Sequence, residues 1–123
     1  HTTVEKHRPF DEAPNGIIGL ETCVPVLMTH LREKKDLTFL DILPALTSRP
    51  AGILGIDRGT LKPRSEADVT LIDPDLEDSF DENSFYSKSS NSPYTGKPFV
   101  GFPVTTIVSG KVVYRDRKIV VRS

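Results

Sequence analysis

Three histidines and one cysteine are the side chains of this 123-residue chain that most often serve as metal ligands or nucleophiles. His1, His7 and His30 lack the close pairing on one strand or helix face that a hydrolytic metal site uses. Cys23 lies in a segment with helical spacing of apolar residues, which is typical of a core position, and no Gly-x-Ser-x-Gly motif is present. We therefore expect His7 and His30 to be surface residues, with no nucleophile in the chain.

One short segment has the composition of a binding loop. Residues 13–19 read Ala-Pro-Asn-Gly-Ile-Ile-Gly and precede a predicted helix. Such a turn can direct backbone N–H groups at an anionic or carbonyl oxygen, as the first turn of a helix does. A tight turn that needs positive φ explains Gly16 and Gly19 equally well. The residues alone leave both interpretations open.

A helix is predicted directly after this loop and would position it. The apolar positions at helical spacing are Leu20, Val24, Leu27, Met28 and Leu31. They predict a helix from about Glu21 to Glu33, with Pro25 in its first turn. Residues 1–16 show no apolar period and are predicted to form a long loop, a feature that is usually functional or disordered.

Two more short helices are predicted before the middle of the chain. Thr38 is the expected N-cap of the first, because Asp41 follows three residues later and can complete a capping box. Pro44 lies inside its apolar pattern and predicts a kink or a break. Ser48 is the expected N-cap of the next helix, which Gly55 would end.

After about residue 57 the apolar residues no longer follow helical spacing, and the second half of the chain is predicted to be β-structure. The predicted strands are residues 59–61, 67–73, 105–108, 111–114 and 118–122. Asp73-Pro74 is expected to end the second strand, and residues 75–97 are expected to be irregular. Because so few short strands leave unpaired edges, we expect a partner: a second copy of the chain or an upstream part of the same polypeptide.

Composition narrows the functional classes. Lys and Arg number 16 against 17 Asp and Glu, with the signs interspersed, so we expect no nucleic-acid partner. The apolar stretches are far shorter than the roughly 20 residues of a membrane span, so we expect no membrane partner. A single cysteine excludes an internal disulfide and fits a reducing compartment, which predicts a cytoplasmic location. Ten prolines predict frequent turns and argue against an all-helical bundle.

Five segments, in order along the chain, carry a family resemblance. They are A-P-N-G-I-I-G-L-E-T at 13–22, R-P-A-G-I-L-G at 49–55, the G-T-L to L-I-D stretch at 59–73, S-K with N-S-P-Y-T-G at 87–96, and T-I-V-S-G-K-V-V-Y at 106–114. This series resembles bacterial-type dihydroorotases, which are members of the amidohydrolase superfamily. The resemblance covers nearly the whole chain.

The resemblance implies an α/β fold that is the C-terminal part of a larger one. The chain would begin inside the family's D-H-A-P-H motif, with His1 as its last residue. Residues 1–56 would form the end of a metal-dependent hydrolase (β/α)8 barrel, with its active-site loop and terminal helices. Residues 57–123 would be the C-terminal strands of a small composite β-sandwich. The implied partner is the missing N-terminal portion of the same protein, with a homodimer or aspartate transcarbamoylase as further partners.

The resemblance also implies an activity. The parent would be a zinc-dependent cyclic amide hydrolase of de novo pyrimidine biosynthesis, interconverting dihydroorotate and N-carbamoyl-L-aspartate. Its proton-transfer Asp and its metal ligands would lie upstream of His1, so this segment would hold no catalytic residue and no zinc and would be inactive alone. The substrate-binding residues carried over are His1, Pro14, Asn15 and Gly16, with His1 contacting the substrate's carboxylate.

Two alternatives remain open at this point. Asn15 forms a Pro-Asn-Gly triplet that resembles hydantoinases, which favours a hydantoinase or allantoinase-like cyclic amidase. The other alternative is a catalytically inactive dihydroorotase-like subunit that serves as a scaffold for aspartate transcarbamoylase. Ligands upstream of His1 would decide between enzyme and scaffold.

Overall fold

Helices precede strands along the chain, as predicted. The computed structural model describes residues 2–34 and 37–120. Its helices are α1 (Thr3–Lys6), α2 (Cys23–Glu33), α3 (Phe39–Leu46) and α4 (Ser48–Leu54). Its strands are β1 (Val69–Ser79), β2 (Pro98–Val108), β3 (Lys111–Arg115) and β4 (Lys118–Ile119). None of the helices in these two ranges is long and apolar enough to cross a membrane.

The first segment contains a helical turn that the sequence analysis did not predict. The Thr2 hydroxyl donates to the Glu5 carboxylate at 2.9 Å, and the Glu5 N–H donates back to the Thr2 hydroxyl at 3.3 Å. This reciprocal capping stabilises α1. The prediction of a loop throughout residues 1–16 was therefore wrong over Thr3–Lys6. His1 lies outside the described residues.

Helix α2 begins and ends close to its predicted bounds, with Pro25 in the first turn. Thr22, Pro25 and Met28 form its buried side, whereas Leu20, from the predicted apolar face, is 95% exposed. Cys23, predicted as a core residue, is only half-buried. The other residues of the predicted apolar face are covered at least in part: Met28 is buried, and Val24, Leu27 and Leu31 are half-buried.

The capping box of α3 is confirmed. The Thr38 N–H and hydroxyl both donate to the Asp41 carboxylate at 2.7 Å. Pro44 does not break the helix, and the chain turns instead at Thr47, whose φ of −132° and ψ of −87° separate α3 from α4. Thr47 is therefore the N-cap of α4, one residue before the predicted Ser48.

The predicted strand at residues 59–61 is absent from the described structure. Gly59 has a φ of 72°, and a Cβ there would lie 2.7 Å from the carbonyl carbon of Thr47. This residue packs closely against the α3–α4 junction, where a side chain would not fit. Gly55, by contrast, ends α4 in the predicted left-handed conformation, with a φ of 65°.

The four strands form an antiparallel meander in the order β1-β2-β3-β4. The predicted hairpin turn at Ser109 and Gly110 is confirmed, with φ values of 48° and 77°. Asp116 and Arg117 form the predicted second turn, again with positive φ at both residues. Positive φ at both central residues is typical of the type I′ turns that match the twist of a hairpin.

Strand β1 is longer than predicted. It continues through Pro74 to Ser79, so the predictions that Asp73-Pro74 ends the strand and that residues 75–79 are irregular were wrong. The register with β2 shifts between Asp73 and Glu77. Pro74 lies within this interruption of an edge strand, where its missing N–H removes no bond of the regular ladder.

The core lies between α2 and the sheet. Phe80, Phe99 and Phe102 form its aromatic cluster, with 5.3 Å between the ring centroids of Phe80 and Phe102. Gly101 of β2 has a φ of 83°, and a Cβ there would lie 2.5 Å from the Met28 Cβ. A glycine at this position therefore lets α2 approach the sheet directly.

Candidate functional site

Three of the four predicted substrate-binding residues form the turn between α1 and α2. Pro14 is half-buried, and Asn15 and Gly16 are exposed. Gly16 has a φ of 101°, which a residue with a side chain rarely adopts. Asn15 and Gly16 line a small cleft of about 220 Å³. The fourth predicted residue, His1, lies outside the described residues, so its relation to this cleft stays a prediction.

Lys6 fixes the backbone of this turn. It is the last residue of α1, and its Nζ donates to the carbonyl oxygens of Pro14 at 2.5 Å and Gly16 at 2.6 Å. Lys6 was not among the predicted site residues. The Thr2 and Glu5 pair could have indicated a helical turn that ends at this lysine, but no sequence signal connects Lys6 to the turn 10 residues away.

Asn91 also fixes the backbone of this turn. Its Nδ2 donates to the Gly16 carbonyl at 3.0 Å, and its own carbonyl accepts from the Ile18 N–H at 3.1 Å. Asn91 and Gly16 are 75 residues apart in the sequence. Two of the motif segments, 13–22 and 87–96, therefore meet at the cleft, a contact that the sequence analysis did not predict.

Glu21 makes a second link between these two segments. Its carboxylate accepts from the Tyr86 N–H at 2.9 Å, the Ser87 N–H at 3.0 Å and the Ser87 hydroxyl at 2.6 Å. Partial burial opposes ionisation of this carboxyl, but the hydrogen bonds from Ser87 and Tyr86 outweigh it and lower the pKa of Glu21. The ionised carboxylate thus fixes the start of α2 to the segment that carries Asn91.

The arrangement at the small cleft is suited to recognition. Within residues 2–34 and 37–120, the N–H groups of Asn15 and Ile17 have no hydrogen-bond acceptor and can donate to an oxygen of a ligand. In the same ranges, no three His, Cys, Asp or Glu side chains lie close enough to hold a metal ion. The described residues therefore offer hydrogen-bond donors but do not form a zinc site.

His7, His30 and Cys23 are not among the residues that line this cleft. His7 and His30 are exposed, as predicted. The His30 Nδ1 atom lies 2.9 Å from the Val26 carbonyl oxygen. Cys23 lies on α2, outside the set of residues that line the cleft.

A larger cleft of about 910 Å³ lies between α2, the sheet and residues 83–87. It holds none of the predicted site residues, and its walls include the aromatic rings of Phe80, Phe102 and Tyr114. Burial raises the pKa of the Tyr114 hydroxyl above its usual value. The walls of this cleft are mainly apolar, and the charged residues Glu21 and Arg117 also line it.

Comparison with known sequences gives a consistent set of relatives. The sequence profile of the amidohydrolase family matches residues 11–114. The dihydroorotase of Pelotomaculum thermopropionicum is 45% identical over 119 residues, which cover 97% of this chain and 28% of that protein. The dihydroorotase of Clostridium acetobutylicum is 45% identical over 117 residues, which cover 95% of this chain and 28% of that protein. The chain thus spans little more than a quarter of these relatives.

Several solved structures with the same fold are hydantoinases. L-hydantoinase from Arthrobacter aurescens aligns with a TM-score of 0.82 and 34% identity, over 90% of this chain and 25% of that one. D-hydantoinase from Thermus sp. aligns with a TM-score of 0.85 and 25% identity, over 99% of this chain and 28% of that one. The helices and the antiparallel sheet described above therefore recur within much longer cyclic amidases.

Proposed function

The chain belongs to the amidohydrolase family, and from this premise we propose that it is the C-terminal part of a dihydroorotase. The parent protein would catalyse the reversible hydrolysis of the cyclic amide of dihydroorotate to N-carbamoyl-L-aspartate. The observation that carries this proposal is the meeting of residues 13–22 and 87–96 at one turn, because both segments resemble dihydroorotase motifs. The similarity to two dihydroorotases along nearly the whole chain supports it.

This segment would contribute substrate recognition. Dihydroorotate carries a carboxylate and two ring carbonyls, and the N–H groups around Asn15 and Gly16 are suitable donors for such oxygens. His1 would contact the carboxylate, as the family resemblance implies. No described residue is proposed as the nucleophile or the general base.

The proposed architecture has two parts. Residues 1–56 would end the (β/α)8 barrel, and residues 57–123 would complete a composite β-sandwich. The exposed area supports a missing partner: it is 9408 Å², whereas a folded monomer of this mass exposes about 6,600 Å². The difference of about 2,800 Å² is more than three times the roughly 800 Å² that one partner contributes to a standard interface.

Zinc would be held by the rest of the parent protein. The described residues do not provide a ligand set for it. The cytoplasmic location, the homodimer and the association with aspartate transcarbamoylase stay predictions.

The test uses the full-length parent protein. We expect the purified enzyme to hydrolyse dihydroorotate and to form it again from N-carbamoyl-L-aspartate at lower pH, since cyclisation consumes a proton. The assay follows the absorbance of the ring amide and the appearance of the open product. Absence of both reactions, in a protein whose upstream metal ligands are present, would contradict the proposal.

A hydantoinase is the second candidate, and Asn15 together with the hydantoinase structures favours it. Hydantoins lack the ring carboxylate, so a carboxylate-binding site should discriminate strongly between the two ring types. The same enzyme is therefore assayed on dihydroorotate, on a 5-substituted hydantoin and on allantoin. A kcat/KM that is higher for either of the last two would replace the first candidate. A parent without metal ligands and without activity would favour the scaffold subunit.

A further inference from the structure

The Lys6 ammonium contacts two carbonyl oxygens of the same turn, and this arrangement has a consequence for the opposite face of the turn. The oxygens belong to Pro14 and Gly16, at 2.5 and 2.6 Å from Nζ. No peptide bond in the described chain is cis. In a trans peptide unit the C=O and N–H bonds point in opposite directions.

The two peptide units that Lys6 contacts are those that carry the Asn15 and Ile17 N–H groups. Because both carbonyls point toward the ammonium, both N–H groups point away from it. The positive charge also polarises each peptide unit, which makes its N–H a stronger donor. Among the described residues the N–H groups of Asn15, Gly16 and Ile17 have no acceptor, and those of Asn15 and Ile17 are the two that face away from Lys6.

We propose that Lys6 is a positioning residue for substrate binding: it orients the Pro14–Gly16 turn so that the Asn15 and Ile17 N–H groups donate together to one anionic group of the substrate. The identity of that substrate rests on the proposed function, whereas the orientation of the turn does not. Lys6 also lines the small cleft, but its ammonium is bonded to the Pro14 and Gly16 carbonyl oxygens, so its role is to orient the turn and not to bind the substrate.

The surroundings of Lys6 support a role in orienting this turn. Its side chain is half-buried, and no carboxylate among the described residues forms an ion pair with it. Asn91 donates to the same Gly16 oxygen at 3.0 Å. Two donors on one carbonyl oxygen fix the direction of that peptide unit more tightly than either donor alone.

The kinetic test compares Lys6→Met with Lys97→Met in the full-length parent protein. Methionine keeps an unbranched side chain without a donor, and Lys97 is an exposed lysine outside the cleft. We expect Lys6→Met to raise KM for dihydroorotate about 10-fold or more, with kcat changed by less than about 3-fold, because a binding contact is misplaced while the reacting groups are not. Lys97→Met should leave both constants unchanged. A KM for Lys6→Met within about 2-fold of the wild type would overturn the proposal.

A conservative variant provides a second test in case Lys6→Met does not fold. Lys6→Arg keeps the charge and the donors but changes their spacing, so KM should rise by only about 3-fold. If Lys6→Met does not fold, Lys6→Arg decides: an unchanged KM counts against the proposed role, and a raised KM with unchanged stability supports it.

Amide hydrogen exchange tests the positioning role of Lys6 independently of the substrate that the proposed function assigns. The Ile18 N–H is protected by the Asn91 carbonyl, next to the part of the turn that Lys6 fixes. We expect its exchange to be faster in Lys6→Met than in the wild type or in Lys97→Met. If the wild type does not act on dihydroorotate, the dihydroorotase assignment fails, yet faster exchange would still support the positioning role. Unchanged exchange would refute that role whatever the substrate.

Discussion

Glu21 connects two segments that are 65 residues apart in the sequence, through one carboxylate and three donors on Tyr86 and Ser87. Glu21→Gln removes the charge and replaces one acceptor oxygen with an amide. Because the group is partly exposed, water screens the interaction, and we expect the free energy of unfolding of the parent protein to fall by only about 1 kcal/mol at neutral pH. Urea unfolding measures the change. Glu82→Gln, at an exposed position, should have no measurable effect.

The contribution of Glu21 should depend on pH. Its pKa is lower in the folded chain than in the unfolded one, so the unfolded state binds more protons as the pH falls. The stabilisation is therefore complete above the unfolded pKa and is lost as the pH falls through the folded pKa. The difference between wild type and Glu21→Gln should shrink on acidification below about pH 4, in unfolding curves taken at several pH values. A difference that grows on acidification would contradict this assignment.

Two features of Gly101 disfavour a side chain: the lack of space for a Cβ and the positive φ of its backbone. Gly101→Ala would place a Cβ 2.5 Å from the Met28 Cβ in a residue with a φ of 83°. We expect a loss of about 3 kcal/mol in the free energy of unfolding, from overpacking and positive φ together. Gly110→Ala is the matched control, because its φ is 77° but nothing lies within 4 Å of the added Cβ. The control should lose only about 1 kcal/mol, and equal losses would show that the contact with Met28 is not decisive.

At the scale of elements, Thr29 connects α2 to β2. Its hydroxyl donates to the Pro25 carbonyl at 2.8 Å and accepts from the Val100 N–H at 2.9 Å. Thr29→Val keeps the shape but leaves the Val100 N–H without its acceptor, so we expect a loss of about 1 to 3 kcal/mol. Thr29→Ser keeps the hydroxyl and should lose less than about 1 kcal/mol. Thermal unfolding of both variants measures the effect, and the reverse order would exclude a role for this hydrogen bond.

Elements with local signals were predictable from the sequence. The Thr38 and Asp41 capping pair and the Ser109-Gly110 turn each lie within a few residues, so their spacing alone predicts the structure. Strand β1 was predicted too short because its continuation past Pro74 depends on pairing with β2. The place of Gly59 depends on a contact with Thr47, which the sequence pattern around it does not reveal.

In the candidate site, too, the parts with a local sequence signal were predictable and the parts that depend on distant contacts were not. The turn at Pro14, Asn15 and Gly16 was predictable from its turn-forming residues and its family motif. Lys6 and Asn91 were not, because their bonds to Gly16 span 10 and 75 residues. Side chains that orient a loop from a distance carry no periodic or capping signal of their own at the loop.

At the scale of the whole molecule, the exposed area predicts how the 123 residues behave alone. Large apolar side chains are uncovered on several elements, among them Leu40, Ile53 and Leu61, which are 75%, 85% and 80% exposed. We expect the separately produced chain to bind a hydrophobic dye and to self-associate, as sedimentation velocity would measure. Dye binding should fall when the upstream part is present in the same polypeptide. A monomer with cooperative unfolding and no dye binding would contradict the expectation of a missing partner.

The position of β1 at the edge of the sheet has a further consequence, for the newly made protein. Within the described ranges no strand pairs with its outer side, and such an edge can recruit the same strand from other copies into fibrils. Strand β1 contains Pro74 and four carboxylates, those of Asp73, Asp75, Glu77 and Asp78. Stacking identical strands would bring these like charges within a few ångströms of one another, and the proline cannot donate to a neighbour. The edge is therefore chemically unsuited to amyloid-like growth.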